Sequence, residues 1–377
     1  MKITRVEAIP LRLPEEDIKY KSTGVNEALI VKVYTDEGIV GLGESWTNAI
    51  MGKAIIDAPF AWNASSGLGR IIVGENPLDI NRLYEKMYKE SFYLGRRGLI
   101  VQCMAAIDIA LWDIAGKYYG APIHKLMGGA YRDTLRCYAS DTFRPTPEET
   151  FESARRYKEM GFTAAKYGWE PLGQNEKLDL ALVQAVREGM GSENEIMIDC
   201  GCCYDAKTAV RRAKQFEEFN IYWLEEPVDN DDLEGYRRVA AGTSTRVAGG
   251  EGNNGLWQYK NFIDNSNADV IQIDLADNGI TVGKKVAEYA ELHHKLVCNH
   301  YYSTPINLAA GIQFCAAIKN VEFLEYCVEL GPIQDSLINE DLRAVNGYCK
   351  VGNAPGLGIS LNEDTVEKYR IRDYVLK

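Results

Sequence analysis

Positive charge is in short supply: 42 Lys and Arg face 54 Asp and Glu, for a formal net charge of −12. Nucleic acids and anionic lipid surfaces need clustered basic residues to displace counterions, so neither is an expected partner. An anionic small molecule would have to be met locally, by a few Lys or Arg side chains or by a bound cation. Long hydrophobic runs are also missing. None approaches the ~18 apolar residues of a membrane span, and the opening MKITRVEAIPLRL has neither the apolar core nor the small-residue cleavage site of a signal peptide. The expectation is a cytoplasmic chain with no membrane partner. No Gly-rich phosphate turn follows an early strand, which disfavours an open dinucleotide-binding sheet. Histidine is limited to four residues, and the nine cysteines are odd in number and scattered. That pattern fits free thiols in a reducing compartment better than a disulfide framework. Cys200, Cys202 and Cys203 cluster, but no His or second CxxC pair stands at ligand spacing to make a zinc site of them.

What is present is the material of a large, compact chain, with 46% hydrophobic and 25% charged residues. Single cores stop growing near ~250–300 residues, so a length of 377 predicts two domains. Residues 1–45 read as strands: ITRVEAIPL, then ALIVKVYTDEGIVGLGESW folding back on its DEG turn. From 76 to 119 the apolar residues fall at helical spacing, among them Leu83, Met87, Ile107, Leu111 and Ile114, until Gly120 and Pro122 close the segment. Strands then helices make an α+β unit over 1–125. Beyond 130, short apolar strands alternate with amphipathic helices. The strands are LRCYAS, FTAAKYG, EIMIDCG, IYWLEEP, TRVAGGE, ADVIQIDL, LVCNHYY and VEFLEYC. Eight such units predict an α/β fold with a closed parallel barrel of the TIM type over 126–330, and the tail 331–377 returns to the first domain.

A parallel barrel gathers its chemistry at the carboxyl ends of its strands. Asp199 ends IMID, Glu225 and Glu226 end WLEE, and Glu251 ends VAGGE, so three successive strands deliver carboxylates to one rim. Each alone is equally well a helix cap or a loop acid. Together they would repel by about 4 kcal/mol per pair at ~4 Å and an effective dielectric of ~20, which a bound cation or protonation must relieve. Oxygen ligands without Cys or His favour Mg²⁺ over zinc. Glu226 competes with Glu225 as a ligand, or pairs with a nearby base. The same rhythm places Asp274, His300 and Glu325 at later strand ends. His124, His293 and His294 lie in helical or connecting stretches, whereas a His held by an Asp on the adjacent strand becomes an oriented base. Lys166 ends FTAAK and would meet an anionic substrate, although a strand-end Lys is often no more than a solvated side chain.

In order and spacing these motifs resemble the enolase superfamily and, within it, the mandelate racemase subgroup. The resemblance rests on LWDIAGK at 111–117, the MID, WLEEP and GGE strands, IQID followed by NGIT, the NH strand, FLE and the terminal PGLGI. It implies a modified (β/α)₇β barrel under an α+β capping domain built from both chain ends, with Mg²⁺ on Asp199, Glu225 and Glu251. It also implies a catalytic dyad of His300 and Asp274, and Glu325 hydrogen-bonded to the substrate carboxylate. The subgroup often has Lys-x-Lys on the second strand, with the second Lys a base facing the His. Here that stretch is Lys166-Tyr167-Gly168, and residues two apart in a strand share a face, so Gly168 stands where the second base would be.

One base argues against racemisation and allows elimination. The expected activity is that of a carbon–oxygen lyase, dehydrating an aldonate or aldarate to a 2-keto-3-deoxy acid. A cycloisomerase or lactonising enzyme, which also needs a single acid–base group, is the alternative. A non-catalytic relative would have no chemical use for so complete a set of residues. The resemblance further implies a symmetric homo-oligomer, with the choice of sugar acid made by capping-domain loops, expected at 14–25 and 46–56.

Overall fold

The structure is a computed structural model that describes residues 1–14 and 26–372. The first strands, β1 (Ile3–Arg12), β2 (Glu27–Thr35) and β3 (Val40–Ser45), form an antiparallel sheet in the order β1-β2-β3. The expected turn joins β2 to β3, with Gly38 in the left-handed region at φ 79°. The helix α1 (Ala49–Asp57), a ribbon of β4 (Phe60–Trp62) and β5 (Ser65–Ser66), and the helices α2 (Leu68–Ile72), α3 (Ile80–Glu90), α4 (Leu99–Tyr119) and α5 (Ile123–Leu126) complete this part. Gly41 and Gly43 share one face of β3, and a Cβ on either would lie about 2 Å from the carbonyl oxygens of Ala110 and Ala106. Bare glycine therefore lets β3 lie directly on the α4 backbone. By length and composition α4 could cross a membrane, contrary to the reading that no such run exists; it is instead a core helix, buried between the sheet and the barrel.

The barrel strands come next, each but the last succeeded by a helix of at least 10 residues. They are β6 (Thr134–Thr142), α6 (Pro147–Glu159), β7 (Ala164–Gly168), α7 (Glu176–Met190), β8 (Glu195–Asp199), α8 (Ala206–Phe216), β9 (Trp223–Glu225), α9 (Leu233–Gly242), β10 (Arg246–Gly249), α10 (Leu256–Asn265), β11 (Val270–Asp274), α11 (Leu275–Leu292), β12 (Leu296–His300), α12 (Pro305–Ala317) and β13 (Leu324–Cys327). All eight strands named from the sequence are found. They are parallel in the order β13-β6-β7-β8-β9-β10-β11-β12. After β13 comes the five-residue α13 (Pro332–Ser336), so the eight full units read from strand rhythm become (β/α)₇β. Between β12 and β13 the barrel is closed by a bridge at Val297–Val321 and by the Asn299 side chain, whose Oδ1 accepts from the Glu325 amide at 3.0 Å.

Past α13 the chain divides its contacts. Residues of β14 (Tyr348–Lys350) pair antiparallel with the start of β6, while α14 (Glu363–Tyr369) and a bridge from Arg370 to Leu11 reach β1. The two parts of the molecule are pinned together through α4: Asp108 Oδ2 accepts from the Thr281 amide of α11, and the Trp112 indole donates to the Thr281 hydroxyl, both at 2.9 Å. Asp113 accepts from the backbone amides of Leu42 and Leu357, both at 2.9 Å, which gives the LWDIAGK and PGLGI motifs a shared structural purpose. Of the two loops expected to choose the substrate, 15–25 lies outside the described residues. Most of 46–56 is not a loop, because Asn48 accepts from the Met51 amide and starts α1. All nine cysteines are free.

Candidate active site

Strand periodicity builds the site in layers. Tyr138, Ala164, Met197, Trp223, Cys298 and Phe323 belong to a buried apolar cluster across the barrel. Two residues later along the chain, five of them on the same strand and Glu325 on the strand that Phe323 leads into, and so on the same inward face, come Ser140, Lys166, Asp199, Glu225, His300 and Glu325. The apolar layer is the floor and the polar layer lies on it, shielded from water below. Low local polarity strengthens every electrostatic interaction made there.

Gly168, Asp199 and Glu225 stand side by side in register across β7, β8 and β9. A Cβ on Gly168 would meet the Asp199 carboxylate, with Oδ2 at 2.8 Å, so the position opposite the His is glycine and its open side is already filled. Glu251 lies just beyond β10. Burial, and then the neighbouring charge of Glu225, raises the Asp199 carboxyl well above its ordinary range; burial does the same to Glu251, only partly offset by His300. Among the described residues no group of three or more His, Cys, Asp or Glu side chains is drawn together tightly enough to ligate an ion. Glu225 is held instead by Lys166 at 2.5 Å and by the Trp223 indole at 2.9 Å. The donor set nevertheless suits a hard divalent cation: it is all oxygen, and Glu251 Oε2 is buried without a hydrogen-bond partner.

Among the described residues Glu226 is paired with no base. It sits in the left-handed region at φ 40°, its Oε1 has no hydrogen-bond partner among the described residues, and its Oε2 receives the Cys202 thiol at 3.6 Å. Burial and the adjacent Asp199 and Glu225 push it up to about 7.

Lys166 is buried between two acids, 2.5 Å from Glu225 and 2.8 Å from Glu325. Burial alone would strip its proton, but the charges of Glu225 and Glu325 prevail and keep the ammonium charged. The solvated-surface reading of this Lys is thereby removed. Glu325 is saturated with donors: Ser140 and Lys166 on Oε1, and the Tyr301 amide on Oε2 at 2.7 Å. Burial opposes its ionisation, yet Lys166 and His300 hold it below the ordinary carboxylate value.

Asp274 and His300 are direct neighbours in the β11–β12 register, and Asp274 Oδ2 lies 2.6 Å from His300 Nδ1. A carboxylate at Nδ1 assigns the proton there and leaves Nε2 as the basic nitrogen. Nε2 is 3.5 Å from Glu251. Burial disfavours the imidazolium, but Glu251 and Asp274 outweigh it and raise the proton affinity well above that of a free imidazole. Trp46, just past β3, stacks on His300 with ring centroids 5.0 Å apart at 24°.

Sequence reasoning did not single out Trp223, Ser140, Trp46 or Glu44. Trp223 was accessible, since it precedes Glu225 by two residues on one strand face. Ser140 needed the β6–β7 register, and Trp46 and Glu44 needed the packing of one domain on the other.

A barrel of this form, carrying strand-end acids opposite a His–Asp pair and an antiparallel capping sheet, defines an enzyme of the enolase type. The chain belongs to the mandelate racemase/muconate lactonizing enzyme family: residues 2–128 match its N-terminal domain and residues 149–365 match the enolase C-terminal domain-like family. The family is generally Mg²⁺-dependent. A D-galactarolactone cycloisomerase of Agrobacterium fabrum is 33% identical over 92% of both chains. A D-xylonate dehydratase of Haloferax volcanii is 32% identical over 92% of this chain and 86% of its own. The crystal structure of a 3,6-anhydro-D-galactonate cycloisomerase from Zobellia galactanivorans superimposes with a TM-score of 0.89 at 28% identity, covering 99% of this chain and 100% of that one.

Proposed function

We propose that this chain is a Mg²⁺-dependent hydro-lyase that removes the α-proton of a sugar acid and expels its β-hydroxyl, giving a 2-keto-3-deoxy acid. The one-sided placement of basic groups carries this reading. His300 and Asp274 stand on one flank, and on the other Gly168 is backed by Asp199. Racemisation needs a base on each face of a planar intermediate, whereas elimination needs one.

Asp199, Glu225 and Glu251 are the residues that would hold Mg²⁺. When bound, the ion supplies positive charge where negative charge develops on the substrate carboxylate. Lys166 meets that carboxylate from within the polar layer, held there by the ionised Glu325 beside it. His300 Nε2 takes the proton from C2, and the C–H electron pair moves into the carboxylate. The pair then returns to form the C2–C3 double bond as the C3–O bond breaks. The imidazolium gives its proton to the departing hydroxyl, which leaves as water, and the enol takes a proton from solvent at C3 and releases the one on its C2 oxygen to solvent to become the keto acid. Asp274 keeps the imidazole aimed throughout.

A second reading keeps the proton transfer and changes the leaving group. In a lactone or cyclic ether the β-oxygen stays tethered, so the same elimination opens a ring and the net reaction is an isomerisation. Two of the relatives above are named cycloisomerases, and a site with one base suits this chemistry equally. The test is incubation with Mg²⁺ and a panel of aldonic acids, aldaric acids and their cyclic forms, followed by keto-acid detection and mass spectrometry. Loss of one water identifies the dehydratase, unchanged mass the cycloisomerase, and no keto acid from any compound refutes both.

A further inference from the structure

We infer that Asn307 is a positioning residue for the Asp274–His300 pair, and that the capping sheet fixes it in place through Glu44. The inference rests on the reading of His300 as the base. Asp274 divides its donors between its two oxygens. Oδ2 faces His300, while Oδ1 accepts from the Ala276 amide at 2.7 Å and from Asn307 Nδ2 at 3.1 Å. Donors on both oxygens prevent the carboxylate from rotating, and the imidazole bound to it inherits that orientation. The Asn307 amide is itself oriented, because Nδ2 also donates to Ser303 Oγ at 2.9 Å.

Asn307 is only 2% exposed and lies in the first turn of α12, the helix that follows the His300 strand. That turn is held from outside the barrel. Glu44 of β3, 1% exposed, accepts from the Thr304 amide on Oε1 and from the Asn307 amide on Oε2, each at 3.0 Å, and also from the Thr304 hydroxyl. A carboxylate satisfies the free amides and the positive end of a helix N-terminus. Here the carboxylate comes from the other domain. Asn307 is thus tied through its backbone to the capping sheet and through its side chain to Asp274, and the capping sheet reaches the base along Glu44, Asn307 and Asp274. Asp274 Oδ1 keeps the Ala276 amide without Asn307, so the carboxylate stays bonded at both oxygens and the local fold survives; what Asn307 adds is a second donor on Oδ1, the one that ties the plane of the carboxylate to α12 and the capping sheet.

The test is Asn307→Leu, close in volume and unable to donate, with Glu44→Gln as a second variant. In the Mg²⁺-supplemented protein the hydrogen-bonded His300 Nδ1 proton should give a downfield proton NMR resonance, assigned by its loss in His300→Asn. Asn307→Leu is expected to move that resonance upfield or lose it to solvent exchange, and to lower kcat by ~10–100-fold with little change in KM and Tm. Glu44→Gln should shift the resonance in the same direction by less, and it decides the matter if Asn307→Leu does not fold. A wild-type resonance in either variant would overturn the inference, as would a fall in kcat that merely tracks a fall in Tm. The resonance is read without substrate, so an empty substrate panel would refute the proposed activity while leaving this result intact.

Discussion

Gly168 lies beside Asp199 so closely that a methyl group on its Cα would stand 2.6 Å from the Asp199 Cβ. The backbone there permits alanine, so Gly168→Ala tests the space alone. It should displace the Asp199 carboxylate, weaken Mg²⁺ binding by ~10–100-fold and lower kcat comparably, at a stability cost of about 1–3 kcal/mol. Calorimetric Mg²⁺ titration with steady-state rates checks this. Wild-type affinity would remove Asp199 from the ligand set.

His300→Asn should abolish both dehydration and exchange of the substrate α-proton with D₂O. A general base contributes ~10²–10⁴ in rate, and a group serving as base and acid in turn should cost at least the upper figure. Asn retains much of the imidazole's shape near Asp274 but cannot accept the proton. Substantial residual exchange, measured by NMR, would reveal a second base and remove the one-base argument that both the dehydratase and the cycloisomerase readings share.

Chelation provides the third test. EDTA should remove activity and Mg²⁺ should restore it, whereas Asp199→Ala and Glu251→Ala should stay inactive and bind Mg²⁺ weakly, because two carboxylates retain neither the charge nor the geometry of three. Full activity in a metal-free sample is the contrary outcome.

Lys166→Met should lower kcat more than it raises KM, since a buried ammonium beside the substrate carboxylate interacts more strongly as charge develops there. An equal kcat with a higher KM would reduce Lys166 to a binding contact.

Asp108 gives a pH-dependent prediction about stability. It is fully buried in α4, its Oδ2 accepts from the Thr281 amide at 2.9 Å, its Oδ1 has no partner, and burial raises it from 3.8 to about 6. Between those values the native protein binds more protons than the unfolded chain, so stability falls as pH rises through the window and levels off above it. Asp108→Asn mimics the protonated form. It should be more stable than wild type at pH 8 by up to about 3 kcal/mol and equal to it near pH 4, as measured by denaturant unfolding.

Much of this was legible in the chain because barrel strands are short apolar runs whose last residues must be polar if they face a site. MID, WLEE, IQID and CNH announce both the strand and its chemistry, and a period of two makes Gly168 the partner of Lys166 without any coordinates. The finer geometry was not legible, for two reasons. Lys166 bonds Glu225 and Glu325 across strands far apart in sequence, a distance fixed only when the barrel closes. Glu44 and Trp46 are ordinary strand-end residues until the capping sheet is laid on the barrel, and only then do they meet α12 and His300. The count of helices failed for a related reason: the eighth strand looks like the others, yet the helix after it is a single short turn.

The stacking of Trp46 on His300 also gives the protein an optical reporter of its own. The indole is 40% exposed, so its emission depends on the water around it as well as on the imidazole beneath it. A molecule arriving at the base must exclude some of that water. The moment of arrival can therefore be followed in a stopped-flow fluorimeter with the unlabelled protein, and Trp46→Phe, which leaves the other five tryptophans emitting, shows which part of the change is its own.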